Sequence, residues 1–133
     1  MFFLPVALVT AGAAALLNFW LGLRVSRLRI SENIMVGDGG NQQLIARMRA
    51  QLNFAEYAPL VLILIALVEL ARGTQAWLWG VAALFIVGRV LHVFGMDGWR
   101  QGRMIGILAT MLTMLGLAGY AVYLGYTGLN PLR

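Results

Sequence analysis

The sequence predicts an all-α fold, an integral membrane bundle of four helices. Composition is the first sign: 61% of the 133 residues are hydrophobic and the mean hydropathy is +0.81, against roughly 45–50% apolar residues in soluble domains. The second is spacing. Four apolar stretches, residues 2–23, 50–71, 76–94 and 104–126, each approach the roughly 20 helical residues that cross about 30 Å of hydrocarbon. The third is what remains between them: short, charged or glycine-rich connections that leave room for one domain over residues 1–133.

The elements follow in order, with helices expected at about 2–23, 44–71, 76–96 and 103–126. The first stretch has no basic segment before it and no small-residue cleavage site, so it reads as a retained helix rather than a signal peptide. It ends in the basic run Arg24, Arg27 and Arg29, and Gly37, Asp38, Gly39 and Gly40 then form a turn cluster in the longest loop. Helix two begins ahead of its apolar core and carries Pro59, which leaves the Ala55 carbonyl without its usual donor and predicts a local bend. Helix three opens on Trp77 and Trp79, residues suited to a membrane interface. Helix four contains Gly102 and Gly106, then Gly116 and Gly119, and ends in Tyr120, Tyr123 and Tyr126. Small residues let membrane helices approach closely, but glycine is also common in such helices, so the spacing reads equally as packing or as tolerance.

The distribution of charge says more than its net value of +5. All ten basic residues are Arg. Arg24, Arg27, Arg29, Arg47 and Arg49 crowd the first connection and Arg100 and Arg103 the third, whereas the second has only Arg72. The positive-inside rule therefore places the first and third loops in the cytoplasm and both termini outside it. A nucleic-acid partner is not expected, because the positive charge forms a juxtamembrane collar with no soluble domain to present it. Cysteine is absent and there is a single His, so disulfides, protein thiol chemistry and a metal site are not expected.

Within that frame, Arg49, Asn53 and Glu56 follow one another four and three residues apart, on one face of helix two where the chain enters hydrocarbon. Polar groups at such depth are costly and are a functional hypothesis by default. Glu56 lies roughly 9 Å into the second stretch and Arg89 roughly 8 Å from the end of the third, a similar depth. Asn53 and His92 sit one turn nearer the surface, and Arg49 and Arg103 near the boundary. With Arg24 or Arg27 included, all four helices contribute to one level. The expected site is a wet, cationic bowl open to the cytoplasm and floored by Leu60 and Ile63. Individually these residues have plainer readings. Glu56 and Arg89 fit a structural ion pair as well as a ligand role, His92 fits a hydrogen-bonded packing residue better than a ligand, and Tyr57 fits a lipid-facing aromatic equally well. Arg100 reads as a snorkelling anchor and Glu69 as a solvated collar residue near the outer end. The set carries the argument: an excess of Arg at one depth asks for an anion.

These residues also resemble a known pattern. Arg47, Arg49, Ala50, Gln51, Asn53, Glu56, Tyr57 and Pro59 spell R-x-R-A-Q-x-N-x-x-E-Y-x-P, similar to the second-helix signature of the MAPEG family, the membrane-associated proteins of eicosanoid and glutathione metabolism, and most similar to its short bacterial branch. Helix count, loop lengths and the third-helix segment GRVLHVFG extend the likeness over essentially the whole chain. The resemblance implies a homotrimer in the bacterial inner membrane, with glutathione as thiol co-substrate held between subunits toward the cytoplasm and a hydrophobic electrophile or lipid hydroperoxide arriving from the lipid. It assigns Arg49, Asn53, Glu56 and Tyr57 to the γ-glutamyl end, and Gln51 with Arg24 or Arg27 to the glycine carboxylate. Arg89 supports the site, and Arg103 faces the sulfur as the catalytic residue. Where eicosanoid-forming members carry a Tyr on helix three this sequence offers His92, a substitute hydrogen-bond donor. Two other readings stand beside this one. They are a non-catalytic trimeric lipid-binding or scaffold protein of the same fold, and a small proton-coupled exporter, which is disfavoured because residues 2–23 contain no acid.

Overall fold

The computed structural model describes residues 2–128, and every regular element among them is helical. The four helices are α1 (Pro5–Glu32), α2 (Gln42–Arg72), α3 (Ala76–Met96) and α4 (Arg100–Gly128), each long and apolar enough to cross a membrane. Short connections make neighbours antiparallel, so the end of α1, the start of α2, the end of α3 and the start of α4 meet at one end of the bundle. Helices α2 and α3 touch each other across the middle, while α1 and α4 occupy opposite corners and do not meet.

Two helices are longer than their apolar stretches. The basic run after residue 23 remains helical because Arg and Leu are good helix formers and no Gly or Pro interrupts before Gly37. Asn33 closes α1 in the left-handed conformation, φ 56°, with its N–H on the carbonyls of Arg29 and Ile30. On the other side of the loop the Asn41 side chain caps α2 by accepting from Leu44 N–H at 3.0 Å. Since Arg24 pairs with Asp97 just past the end of α3, residues 25–32 carry α1 about 12 Å further. The α1–α2 hairpin thus overhangs the α3–α4 turn. Its own small core of Val25, Leu28 and Leu44, with Ile34 and Met48 against it, holds the overhang together, and Arg29 donates from Nη1 to the Gly37 carbonyl at 2.7 Å.

The main core runs through the bundle from Leu17 and Leu21 to Phe54, Ile65, Phe85 and Leu117. Large apolar side chains such as Leu16, Phe19, Ile63 and Leu108 point outward, as expected where the surrounding solvent is lipid. The closest helix pair is α3 with α4. A Cβ added to Gly106 would lie 2.5 Å from the Gly88 carbonyl oxygen and 2.6 Å from the Cβ of His92, and one added to Gly88 would lie 2.7 Å from the Cβ of Ala109. Gly102 and Gly106 therefore serve packing, whereas Gly116 and Gly119 have nothing among the described residues within 4 Å of an added Cβ. Pro59 is exposed inside a continuous α2.

Glu69 corrects its sequence reading. It is no solvated collar residue but 1% exposed. Helix α1 starts at Pro5 with no side-chain cap of its own, and the Glu69 carboxylate supplies one from α2, accepting from Val6 N–H at 3.0 Å and Ala7 N–H at 2.8 Å. The Thr74 hydroxyl donates to it as well, at 3.0 Å. A carboxylate at a helix N-terminus meets orphan donors and the positive end of the dipole together, which is why burial suits it.

Candidate functional site

The basic end of the bundle gathers residues from all four helices. At its centre Arg89 of α3 is 1% exposed. Its Nη2 donates to Asn53 Oδ1 of α2 at 2.6 Å and lies 3.3 Å from His92 Nδ1 one turn along, while its Nη1 donates to Thr110 Oγ1 of α4 at 3.1 Å. Thr110 in turn donates to the Gly106 carbonyl at 2.8 Å. None of these partners is an acid, and Arg89 Nε has no partner among the described residues. A buried guanidinium without a counter-charge is costly, and the site therefore carries net positive charge from the inside.

Glu56 does not supply the missing acid. It shares the expected depth but lies on an exposed ridge of α2, and among the described residues the only ion pair is Arg24 with Asp97. The structural Glu56–Arg89 pair considered from the sequence is not formed. Arg49 is exposed on the same ridge.

The two flanks of that ridge differ. At 3.6 residues per turn Gln51 and Asn53 project about 160° apart. Asn53 turns toward α3 and Arg89. Gln51 turns toward α1, where a cavity of about 590 Å³ is lined by Asn18, Arg29, Asp38, Arg49, Gln51 and apolar neighbours including Met48 and Ala55. The polar residues thus fall into two half-sites, one against α3 and α4 and one against α1, with Arg49 and Glu56 between them. One small ligand cannot reach both flanks of a single helix.

Comparison with known proteins gives the family of the chain. The sequence pattern that defines the MAPEG family matches residues 7–123, most of the chain. The chain belongs to the MAPEG family. Among its relatives are the proteins called Inner membrane protein YecN in Escherichia coli strain K12 and in Escherichia coli O6:H1 strain CFT073. Each is 28% identical over 112 residues, which cover 80% of this chain and 85% of the relative.

In this MAPEG protein the sequence-predicted residues separate by what they touch. Asn53, Arg89 and His92 form one hydrogen-bonded cluster, and Arg49 and Gln51 line one cavity. Tyr57 is half-buried, and Arg103 is exposed on the first turn of α4, whose backbone packs against Gly95. Two of them are tied into the chain itself. Arg24 is engaged within the chain: it pairs with Asp97, its guanidinium stacks 5.3 Å from the Trp20 ring centroid, and its carbonyl accepts from Arg47 Nη1 at 2.7 Å. His92 is buried against Arg89, which fits its reading as a hydrogen-bonded packing residue. Arg27 is exposed on the overhang and lines neither half-site. Sequence reasoning missed Arg29 and Asn18, which line the α1 side, and Thr110. The available signal for Thr110 was a hydroxyl one turn after Gly106 in an apolar helix.

Proposed function

We propose that this protein is a glutathione-dependent transferase or peroxidase of the bacterial inner membrane, acting as a homotrimer with its basic end toward the cytoplasm. The observation that carries the reading is the buried Arg89 with no acid among its partners, together with Arg49 and Arg103, which have no acid partner among the described residues. Such a site needs an anion to complete it. Glutathione brings two carboxylates, one ammonium and one thiol. The free carboxylate of Glu56 complements the ammonium, and the Arg49 guanidinium offers a planar fork for a carboxylate. The two half-sites support assembly. An exposed acid at membrane depth, flanked by Leu52, Leu60 and Ile63, is stable only when a second chain covers it. A second copy would bring the α1 flank, Gln51 and Arg29, against the α3 flank of the first.

When bound, the thiol supplies a thiolate nucleophile or reductant for an electrophile dissolved in the lipid. The Arg103 guanidinium offers only donors and so acts electrostatically, favouring the ionised sulfur without taking its proton. Asn53 and Arg89 hold the ligand end of the site in place, and Glu56 and Arg49 orient it.

The test is calorimetric titration of glutathione into the detergent-solubilised protein, with turnover assays using an aryl halide and an organic hydroperoxide. Binding lost in Arg49→Ala and turnover lost in Arg103→Ala support the reading. Binding without turnover in the wild type leaves a non-catalytic binding protein, and absence of binding removes the glutathione reading altogether.

A further inference from the structure

At the end of the bundle opposite the Arg cluster, a groove of about 290 Å³ opens between α3 and α4, lined by Trp77, Val81, Leu84, Leu112, Thr113, Gly116, Leu117 and Tyr120. No charged residue lines it among the described residues. Trp77 and Tyr120 meet edge to face at its mouth, ring centroids 5.5 Å apart, at the level where aromatic residues mark a membrane interface. Deeper, Thr113 is 4% exposed and its hydroxyl has no hydrogen-bond partner among the described residues. That omission is specific. A helical threonine ordinarily reaches back to a carbonyl one turn earlier, and Thr110 does so. Thr113 lies about 10 Å along α4 from Tyr120, at a depth where no water is available to replace the bond.

We propose that this groove binds a neutral lipophilic ring carrying a carbonyl or hydroxyl oxygen, a quinone or its phenolic form dissolved in the bilayer, with the oxygen toward Thr113 and the ring beneath Trp77 and Tyr120. Each feature selects against a competitor. The uncharged lining gives an anion nothing to bind. A phospholipid keeps its oxygens at the headgroup, about 10 Å above the hydroxyl, and its chain leaves Thr113 unmatched. The volume lies at the lower end of the roughly 300–1,000 Å³ of small-molecule sites, enough for one ring and a short substituent. Aromatic edges at the mouth favour a ring over a chain. This site is independent of the glutathione reading and shares no residue with it.

The experiment uses the full chain in lipid nanodiscs and a short-chain benzoquinone, which quenches indole fluorescence on contact. Saturable quenching is expected in the wild type, and its saturable part should vanish in Trp77→Phe. Gly116→Leu fills the groove without a backbone clash, since nothing lies within 4 Å of an added Cβ there, and should weaken binding at least tenfold. Thr113→Val keeps the shape and removes one hydrogen bond, a loss of about fivefold. Leu84→Phe narrows the groove from α3 and stands in if Gly116→Leu loses its helical circular dichroism. Quenching that rises linearly with quinone, or that saturates equally in both groove-filling variants, overturns the site. Equal saturation by a bromoalkylbenzene without oxygen, unaffected by Thr113→Val, overturns the ligand class.

Discussion

Arg89 donates from Nη2 to Asn53 Oδ1 at 2.6 Å across the α2–α3 contact, and this bond decides which way the amide faces. With Oδ1 occupied, the two Nδ2 donors of Asn53 are left for another acceptor. Replacing the amide with an acid therefore separates charge from shape. Asn53→Asp gives the buried guanidinium its missing counter-charge, so thermal stability in detergent should rise, while glutathione affinity should fall by roughly tenfold or more as the positive field is neutralised. A calorimetric titration and a melting curve on the same preparation read both effects. Affinity unchanged alongside a raised melting temperature would mean that the Arg89 charge plays no part in binding.

Glu69 joins three donors from two segments, Val6 and Ala7 of α1 and Thr74 of the α2–α3 connection. Glu69→Ala should lower stability by about 1–3 kcal/mol, since it strips the cap from α1 and leaves buried N–H groups without partners. Glutathione binding, at the other end of the bundle, should be unchanged once the protein is folded. The unfolding midpoint in a denaturing detergent measures the first effect, and calorimetry the second.

Helix number and the depth of the polar residues were legible because both depend on local quantities: apolar length and rise per residue. The role of Glu69 was not, since its partners lie 63 and 62 residues away, and nothing on α2 announces that α1 starts without a cap. The partner of Arg24 was hidden for the same reason. As sequence it was one Arg in a basic run; in the fold Asp97, 73 residues on, occupies it. The ion pair considered for Glu56 and Arg89 failed on rotation rather than depth: the three-residue step from Asn53 to Glu56 turns the helix by about 300°, enough to carry the carboxylate from the α3 side onto the exposed ridge. Gly102 and Gly106 were equally undecided until the partner backbone was in view.

The α3–α4 contact makes a sharp prediction at Gly106. An added methyl would lie 2.5 Å from the backbone oxygen of Gly88 and 2.6 Å from His92 Cβ. A carbonyl on a packed helix cannot move aside as a flexible side chain does. Gly106→Ala should therefore cost about 1–3 kcal/mol and shift His92 and Thr110 together, weakening glutathione binding as well. Gly119→Ala, with open space around it, should change neither. Comparing the two by thermal unfolding isolates helix approach from the general effect of removing a glycine.

Arg103 provides the test of chemistry as distinct from binding. A free thiol with pKa near 8.5 is only a few per cent ionised at neutral pH, and a downward shift of about two units, roughly 2.7 kcal/mol, makes the thiolate the main species. The Arg103 guanidinium is the group proposed to stabilise that charge. Arg103→Leu should leave the glutathione dissociation constant at low pH within about threefold, because the thiol is then neutral in both proteins. At neutral pH the thiolate absorbance of the bound tripeptide near the ultraviolet edge should be lost and turnover should fall by about 25-fold, the ratio of the ionised fractions of two thiols whose pKa values differ by about two units across pH 7. Activity should recover as pH is raised toward 9, where the thiol ionises without help. Arg103→Lys keeps the charge and should retain part of the activity. A variant whose rate falls equally at every pH would show that Arg103 positions the ligand and does not ionise it.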